Sequence, residues 1–281
     1  ITNWIGGMGV LVFLLAIVPM SGGSNINLMR AESPGPNVGK LVPKMRRTAA
    51  ILYLIYVLLT VADFLLLVLG KMPVFDAICT AFGTAGTGGF GIRADSMGSY
   101  SPYLQNVTTV FMLLFGVSFN MYYLLLIKRW REVLKSNELK CYLGISLAAM
   151  IIVVLSIMPL YGSIADAVRL SAFQVSSIVT TTGYATADFD AWPSLAKAVL
   201  LILMFFGGCM GSTAGGLKIS RVIIFLKAAK QDLNKMLHTH AVTTVRFEGK
   251  PLDEKVLRGV HNYFNIYMLL LTLSVLLLSL D

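Results

Sequence analysis

TTTGYAT, residues 180–186, lies between two long apolar stretches and is poorly suited to a helix. Three consecutive threonines crowd the preceding turn, and Gly183 before Tyr184 favours an extended or left-handed backbone. Irregular backbone at membrane depth leaves carbonyls without water, and it is tolerated only where it lines a wet cavity or is packed in protein. The stretch therefore reads as the lining of a pore.

Working outward, a second copy supports that reading. A shift of 95 residues lays AGTGGF (85–90) on TTTGYA (180–185), with Thr87 on Thr182 and Gly88 on Gly183; it also puts Ala77 on Ala172 and Asp95 on Asp190. Such self-similarity marks two copies of one supersecondary unit. A cation gives up water only where oxygens replace it, and a short Thr/Gly loop does this with backbone carbonyls. Glycine lets the carbonyls turn inward without a side-chain clash, and a threonine hydroxyl can add an oxygen at the inner mouth. The candidate ion-binding residues are Gly86, Thr87, Gly88 and Gly89 in one loop and Thr181, Thr182, Gly183 and Tyr184 in the other, with Thr87, Gly88, Thr182 and Gly183 supplying the oxygens.

The surrounding chain is membrane material. At 56% hydrophobic, 13% charged and a mean hydropathy of +0.75, its 281 residues are too apolar for a soluble domain and read as a polytopic, all-α membrane protein. A net charge of +9 could suit nucleic acid, but nineteen of the 23 Lys and Arg fall in residues 30–47, 128–140 and 218–258. Basic residues concentrated in loops between spans are an orientation signal, so those stretches are cytoplasmic, both loops dip in from outside, and nucleic acid is not the partner. Cys79, Cys141 and Cys209 are scattered and show no disulfide or zinc spacing. The chain begins at Ile1 without a signal pattern and stops just after an apolar run, so both ends read as cut.

In chain order, the pattern gives a span over 5–20, with Trp4 as an interfacial anchor and Gly6, Gly7 and Gly9 as packing positions. A cytoplasmic connection runs from 21 to 47. A span over 48–69 carries Asp63, either a functional intramembrane acid or one that reaches headgroups or a buried donor. A half-length helix follows, from Pro73 to residue 81 or 82, then the first loop, a polar return over 91–103 and a full span over 105–127. The third unit repeats this order: a span over 143–160, a half-length helix over 164–179, TTTGYAT, and an inner helix from 195. The half-helices would aim their carbonyl ends, each about half a negative charge, at a cation path. Asp95, Asp188 and Asp190 are candidate acids at the outer mouth, or ordinary surface carboxylates.

Residues 207–216, GGCMGSTAGG, hold five glycines in ten. Each costs a helix about 1 kcal/mol relative to Ala, so the inner helix breaks here and resumes at about 217. Gly207, Gly208, Gly211, Ser212, Thr213, Gly215 and Gly216 form a candidate gating loop beneath the filter, with a static packing kink as the alternative. His238 and His240 lack a third ligand and read as part of a solvated loop in the basic stretch 230–258, a candidate cytoplasmic docking surface. A final span covers 263–280. Two loops cannot enclose an ion, so the opening and closing spans read as halves of two further units around a pseudo-fourfold pore. The implied domains are 1–47, 48–140 with a pore loop at 73–91, 141–258 with a pore loop at 164–186, and 259–281.

TTTGYAT followed by DFDAWP (188–193), AGTGGFG (85–91), WIGGMGV (4–10) and above all GGCMGSTAGGLKISR (207–221) resemble the membrane subunit of bacterial Trk-type potassium uptake systems, the TrkH-like members of the Trk/Ktr/HKT superfamily. The resemblance implies a four-repeat fold with one filter glycine per repeat, matched here by Gly88 and Gly183, and gating by 207–216. It also implies K+ as the transported ion without an organic cofactor, and a multi-pass homodimer in lipid of the bacterial cytoplasmic membrane. A cytosolic ring of nucleotide-binding, TrkA-like regulatory subunits would dock on its inner side. A sodium-conducting or cation-coupled (symport) member of the superfamily is the alternative. A broken-helix secondary transporter would want inverted repeats, whereas this repeat keeps both loops on one side. An intramembrane enzyme would want a paired acid, base or metal triad at depth, and none is visible.

Overall fold

The computed structural model describes residues 1–9, 45–237 and 244–280. Most of the expected first span, the 21–47 connection up to Met45, and His238 and His240 lie outside the described residues. The described chain is helical apart from one short hairpin and divides into two compact units, Ile1–Ile219 and Ser220–Asp281.

The first unit contains α1 (Thr2–Gly7), α2 (Met45–Leu69), α3 (Val74–Ala85), α4 (Pro102–Phe115), α5 (Phe119–Leu126), α6 (Trp130–Lys135), α7 (Asn137–Tyr161), α8 (Ile164–Val179) and α9 (Ser194–Leu203). The stretch Ala49–Leu69 of α2, and α7, are long and apolar enough to cross a membrane. Each leads into a half-length helix, α3 or α8, that packs back against it. Pro73 serves as N-cap of α3, where its missing N–H costs nothing. Gly162, in the left-handed conformation (φ 59°), ends α7 before Ser163 caps α8. The span–half-helix–loop unit thus appears twice, and α8 also packs on α4, joining the copies.

Leu67, Met72, Met97 and Met112 of the first copy are buried in one cluster with Phe173 and Tyr184 of the second, and Tyr56, Phe111, Phe115 and Phe119 form another within the first copy. Leu54, Leu58 and Leu65 of α2, and Leu147 and Leu155 of α7, stay exposed, as suits helices facing lipid.

The structure corrects three expectations. The half-helix after Pro73 runs to Ala85, a turn further than expected. The full span expected over 105–127 is broken into two helices, α4 and α5, bent by 89° at Gly116, Val117 and Ser118. Trp4 is no interfacial anchor: its indole stacks on Tyr56 and Phe82, with ring centroids 5.5 and 5.1 Å apart, and donates to Thr60 Oγ1 at 3.1 Å.

The second unit holds α10 (Ile219–Leu237), a hairpin of β1 (Arg246–Phe247) and β2 (Lys250–Pro251), and α11 (Glu254–Leu278). Glu248 and Gly249, both with positive φ, make the turn. Ile224, Phe247 and Val260 form its small core, and the Arg221 guanidinium lies 3.8 Å from the centroid of the Tyr263 ring. Length and composition make α11 a third spanning helix.

Candidate functional site: two pore loops and the loop between them

Both half-helices end in the same backbone figure. After α3, Thr87 (φ 49°) and Gly89 (φ 63°) are left-handed; after α8, Thr181 (φ 55°) and Gly183 (φ 92°) are. The amides follow suit: Thr87 N donates to Thr84 O and Gly88 N to Gly83 O, while Thr181 N donates to Ile178 O and Thr182 N to Ser177 O. These pairs are related by 94 residues, not 95. Gly89, not Gly88, is the counterpart of Gly183, and Thr87 pairs with Thr181. Adjacent glycines at 88 and 89 satisfy either alignment in sequence, and the positive φ decides between them.

Glycine matters at these two positions for different reasons. A Cβ at Gly183 would meet nothing within 4 Å, so only the backbone conformation calls for glycine there. A Cβ at Gly89 would lie 1.9 Å from the Thr182 carbonyl oxygen, where the two loops touch. The loops are supported differently too. Ser177 Oγ donates to Tyr184 O (2.6 Å) and accepts from Gly183 N (3.1 Å), and Thr180 and Thr182 share a 2.7 Å hydroxyl contact. The Thr182 side chain is buried in that contact, so the hydroxyl at the inner turn of this copy belongs to Thr181. The first loop has no such hydroxyls and leans on α1: a Cβ at Gly86 or Gly88 would meet Asn3 at 2.6 or 2.5 Å. Sequence reading missed Asn3, which carries no motif.

Tyr184 ties the copies together. Its ring is buried, its hydroxyl donates to Thr80 O of α3 at 3.2 Å, and it sits where a Cβ on Gly83 would be 2.2 Å away. Its counterpart Phe90 is 74% exposed. Above the loops the return arm is held by Gln105, whose amide donates to Met97, Gly98 and Tyr100 carbonyls, and by Met97 N bonding Ala185 O at 2.9 Å. Tyr100 donates to Asp76 at 2.8 Å beneath Arg93, and burial together with that carboxylate pushes the phenol up to about 12.

The proposed mouth acids are exposed and engaged locally. Asp95 accepts from Ser99, itself bonded to Arg93; Asp188 caps the short turn Phe189–Ala191 through Asp190 N, and Lys197 reaches the Asp190 carbonyl. Asp63 is fully buried, which removes the headgroup alternative, and neither carboxylate oxygen has a hydrogen-bond partner among the described residues.

Residues 207–216 are non-helical and form a loop with a pinned neck: Phe206 bridges Leu217, and Gly207 N donates to Leu217 O at 2.8 Å. Gly211 (φ 72°) and Gly216 (φ 69°) make its turns, Ile219 N closes on Gly208 O, and Ser212 Oγ bonds Cys209 O. A helix end leaves four carbonyls without intrahelical partners. At the break after α4 they are satisfied in sequence: Leu113 O by Tyr142, Leu114 O by Tyr122, Phe115 O by Thr213 Oγ1 and Gly116 O by Cys209 N. Phe119 N returns a bond to Gly211 O, and the Glu138 carboxylate accepts from Met210 N at 2.6 Å. The loop also reaches both pore loops, because Thr87 Oγ1 donates to Thr213 O (3.1 Å) and Gly215 N donates to Thr181 Oγ1 (2.6 Å). Gly216 and the Lys218 ammonium, which bonds the Ala214 carbonyl, complete its return.

The family profile described as TrkH, cation transport protein, matches residues 1–281. The chain is 36% identical over 279 residues to the Trk system potassium uptake protein TrkH of Salmonella typhimurium, covering 98% of this chain and 58% of that protein. It is 34% identical over 285 residues to the Trk system potassium uptake protein TrkG of Escherichia coli, covering 99% and 58%. The crystal structure of the potassium transporter TrkH from Vibrio parahaemolyticus superposes with a TM-score of 0.80 at 30% identity, over 96% of this chain and 56% of that one. The chain therefore spans a little over half the length of these relatives. With its apolar helices it is a multi-pass protein of the bacterial inner membrane, and it belongs to the TrkH family of cation transport proteins.

Proposed function

We propose that the chain is part of a potassium uptake subunit that passes K+ through a carbonyl-lined filter. The observation that carries this reading is the matched pair of left-handed turns, 87/89 and 181/183, at the carbonyl ends of two half-length helices. Helix C-termini carry partial negative charge, and backbone carbonyls free of a regular ladder can stand in for the water a cation sheds. The relatives are named as potassium uptake proteins, which supports K+ as the cargo. The filter residues are Thr87, Gly88 and Gly89 with Thr181, Thr182 and Gly183, and 207–216 is the gate. The regions 1–47, 48–140, 141–258 and 259–281 contribute to four repeats about one path. A homodimer with a nucleotide-binding cytosolic ring belongs to the same proposal.

The test is Gly183→Asp in the full-length protein. It places a carboxylate in the open space beside a glycine that needs φ 92°. Rubidium uptake is expected to fall to background with membrane insertion retained; normal uptake by an inserted variant would contradict the filter assignment.

A further inference from the structure

We propose that Asp63 is a proton-binding site, a neutral carboxylic acid buried behind the pore loops, whose ionisation loosens the packing that holds the second loop to the first copy. Asp63 lies in the stretch Ala49–Leu69 of α2 that is long and apolar enough to cross a membrane. Tyr56, Thr60, Asp63 and Leu67 recur at helical spacing and are all buried, so they form the face that α2 turns inward. At one end of this stripe Tyr56 and Thr60 meet Trp4; at the other, Leu67 shares a cluster with Ala77, Ala81 and Tyr184. Asp63 is the acid between them.

The hydroxyls of this region are committed elsewhere. Thr60 donates to Tyr56 O and accepts from Trp4, Thr84 and Tyr184 both donate to Thr80 O, and Thr108 donates to Leu104 O. Neither Asp63 oxygen has a hydrogen-bond partner among the described residues. A counter-charge is missing as well. The helices packed against α2 are α3, α4 and α5, whose titratable side chains are Asp76 and Cys79, Tyr103, and Tyr122 and Tyr123. The return arm and the second pore loop add Tyr100 and Tyr184, and α1 adds no titratable side chain. No basic group is among them: Arg93 lies over the Tyr100 ring, Lys71 is exposed about 12 Å further along the chain, and Arg47 of α2 is about 24 Å away.

A buried charge with neither counter-ion nor hydrogen bonds is heavily disfavoured, and an acid inside a span is by default a functional group. A metal or alkali cation would need several oxygens at once. The described residues bring no three His, Cys, Asp or Glu side chains together, and the nearby hydroxyls are taken. A proton needs a single oxygen, which Asp63 supplies.

The consequence falls on Tyr184, whose phenol is within electrostatic reach of Asp63. Its buried ring and its bond to Thr80 O hold the second pore loop on α3. When the acid gives its proton to water, the carboxylate left behind draws in water or the Tyr184 O–H, because a charged acceptor bonds more strongly than a carbonyl. Water entry displaces the ring as well as its one hydrogen bond. The effect on transport rests on the filter reading above; the proton site itself does not.

The experiment uses the full-length protein in liposomes of ether lipids, free of ester carbonyls, at the same pH on both sides so that no proton gradient drives the ion. Infrared spectra follow the carbonyl stretch of a protonated carboxylic acid as the pH is raised, with rubidium uptake measured in parallel. The wild type is expected to show this band at neutral pH and to lose half its uptake at the pH that removes half the band. Asp63→Asn should remove both the band and the pH dependence of uptake over that range. Asp63→Leu, apolar and without a titrating group, repeats both readouts if the amide variant fails to insert. A neutral-pH spectrum with no band that these substitutions remove, or uptake that keeps the wild-type pH dependence in them, would overturn the proposal. A band assigned to Asp63 in a wild type that takes up no rubidium would overturn the filter reading and leave the proton site standing.

Discussion

The two pore loops share a backbone and differ in what holds it. The second, 180–184, carries its own scaffold, with Ser177 bridging Gly183 and Tyr184 and with Thr180 against Thr182. The first, 86–90, is mostly glycine and is shaped from outside, by Asn3 of α1 and by the Thr182 carbonyl of its sister. Repetition has kept the dihedral angles and let the supporting chemistry drift. A carbonyl-lined site constrains the main chain, and more than one side-chain environment can impose that constraint.

The comparison breaks first at the adjacent glycines. Gly89→Ala forces a Cβ onto the Thr182 oxygen at a left-handed position, and a shift of about 1 Å at a pre-organised site can lose two orders of magnitude. Rubidium uptake should fall about 100-fold. Gly88→Ala meets the flexible end of Asn3 at an ordinary φ and should lose less than about tenfold. The reverse order would restore the 95-residue register. Next in size is Ser177→Ala, which takes the hydroxyl from the Tyr184 carbonyl and leaves the Gly183 amide only its 3.4 Å bond to Ser177 O, at a cost of about 1–3 kcal/mol. It should reduce discrimination of K+ from Na+ in uptake competition. The first loop has Gly83 at the equivalent place and no such dependence.

Tyr184→Phe removes one bond to Thr80 and keeps the buried ring, so it should cost about 0.5–1.5 kcal/mol, seen as a fall of a few degrees in thermal unfolding in detergent with uptake largely kept. The smallest effect concerns pH. The Tyr100 phenol is raised in the folded state, so its contribution is complete below the unfolded value near 10 and is lost as pH climbs through about 12. Tyr100→Phe and wild type should therefore show parallel stability profiles from pH 6 to 9 and converge only in strong alkali.

Much of this was legible in the residues. The second half-helix lies at 164–179 as its pattern indicates, and the glycine content of 207–216 announces a break in the inner helix. Three things were hidden for physical reasons. The register turns on which of two neighbouring glycines has positive φ, and composition is blind to dihedral angles. The 89° bend falls in LLFGVSF, an apolar run without proline, and it persists because Tyr122 of the next helix and Tyr142, Thr213 and Cys209, distant in sequence, satisfy the freed carbonyls. Trp4 has the composition of an interfacial residue and the position of a core one, which only the packing of Tyr56 and Phe82 reveals.

The most direct test of the central claim is the reversal potential of the full-length protein in liposomes under opposed K+ and Na+ gradients. A filter built on the turns at 87/89 and 181/183 predicts a reversal potential that follows the K+ gradient and is lost with Gly183→Asp. A potential that follows Na+, or one untouched by that substitution, would contradict it.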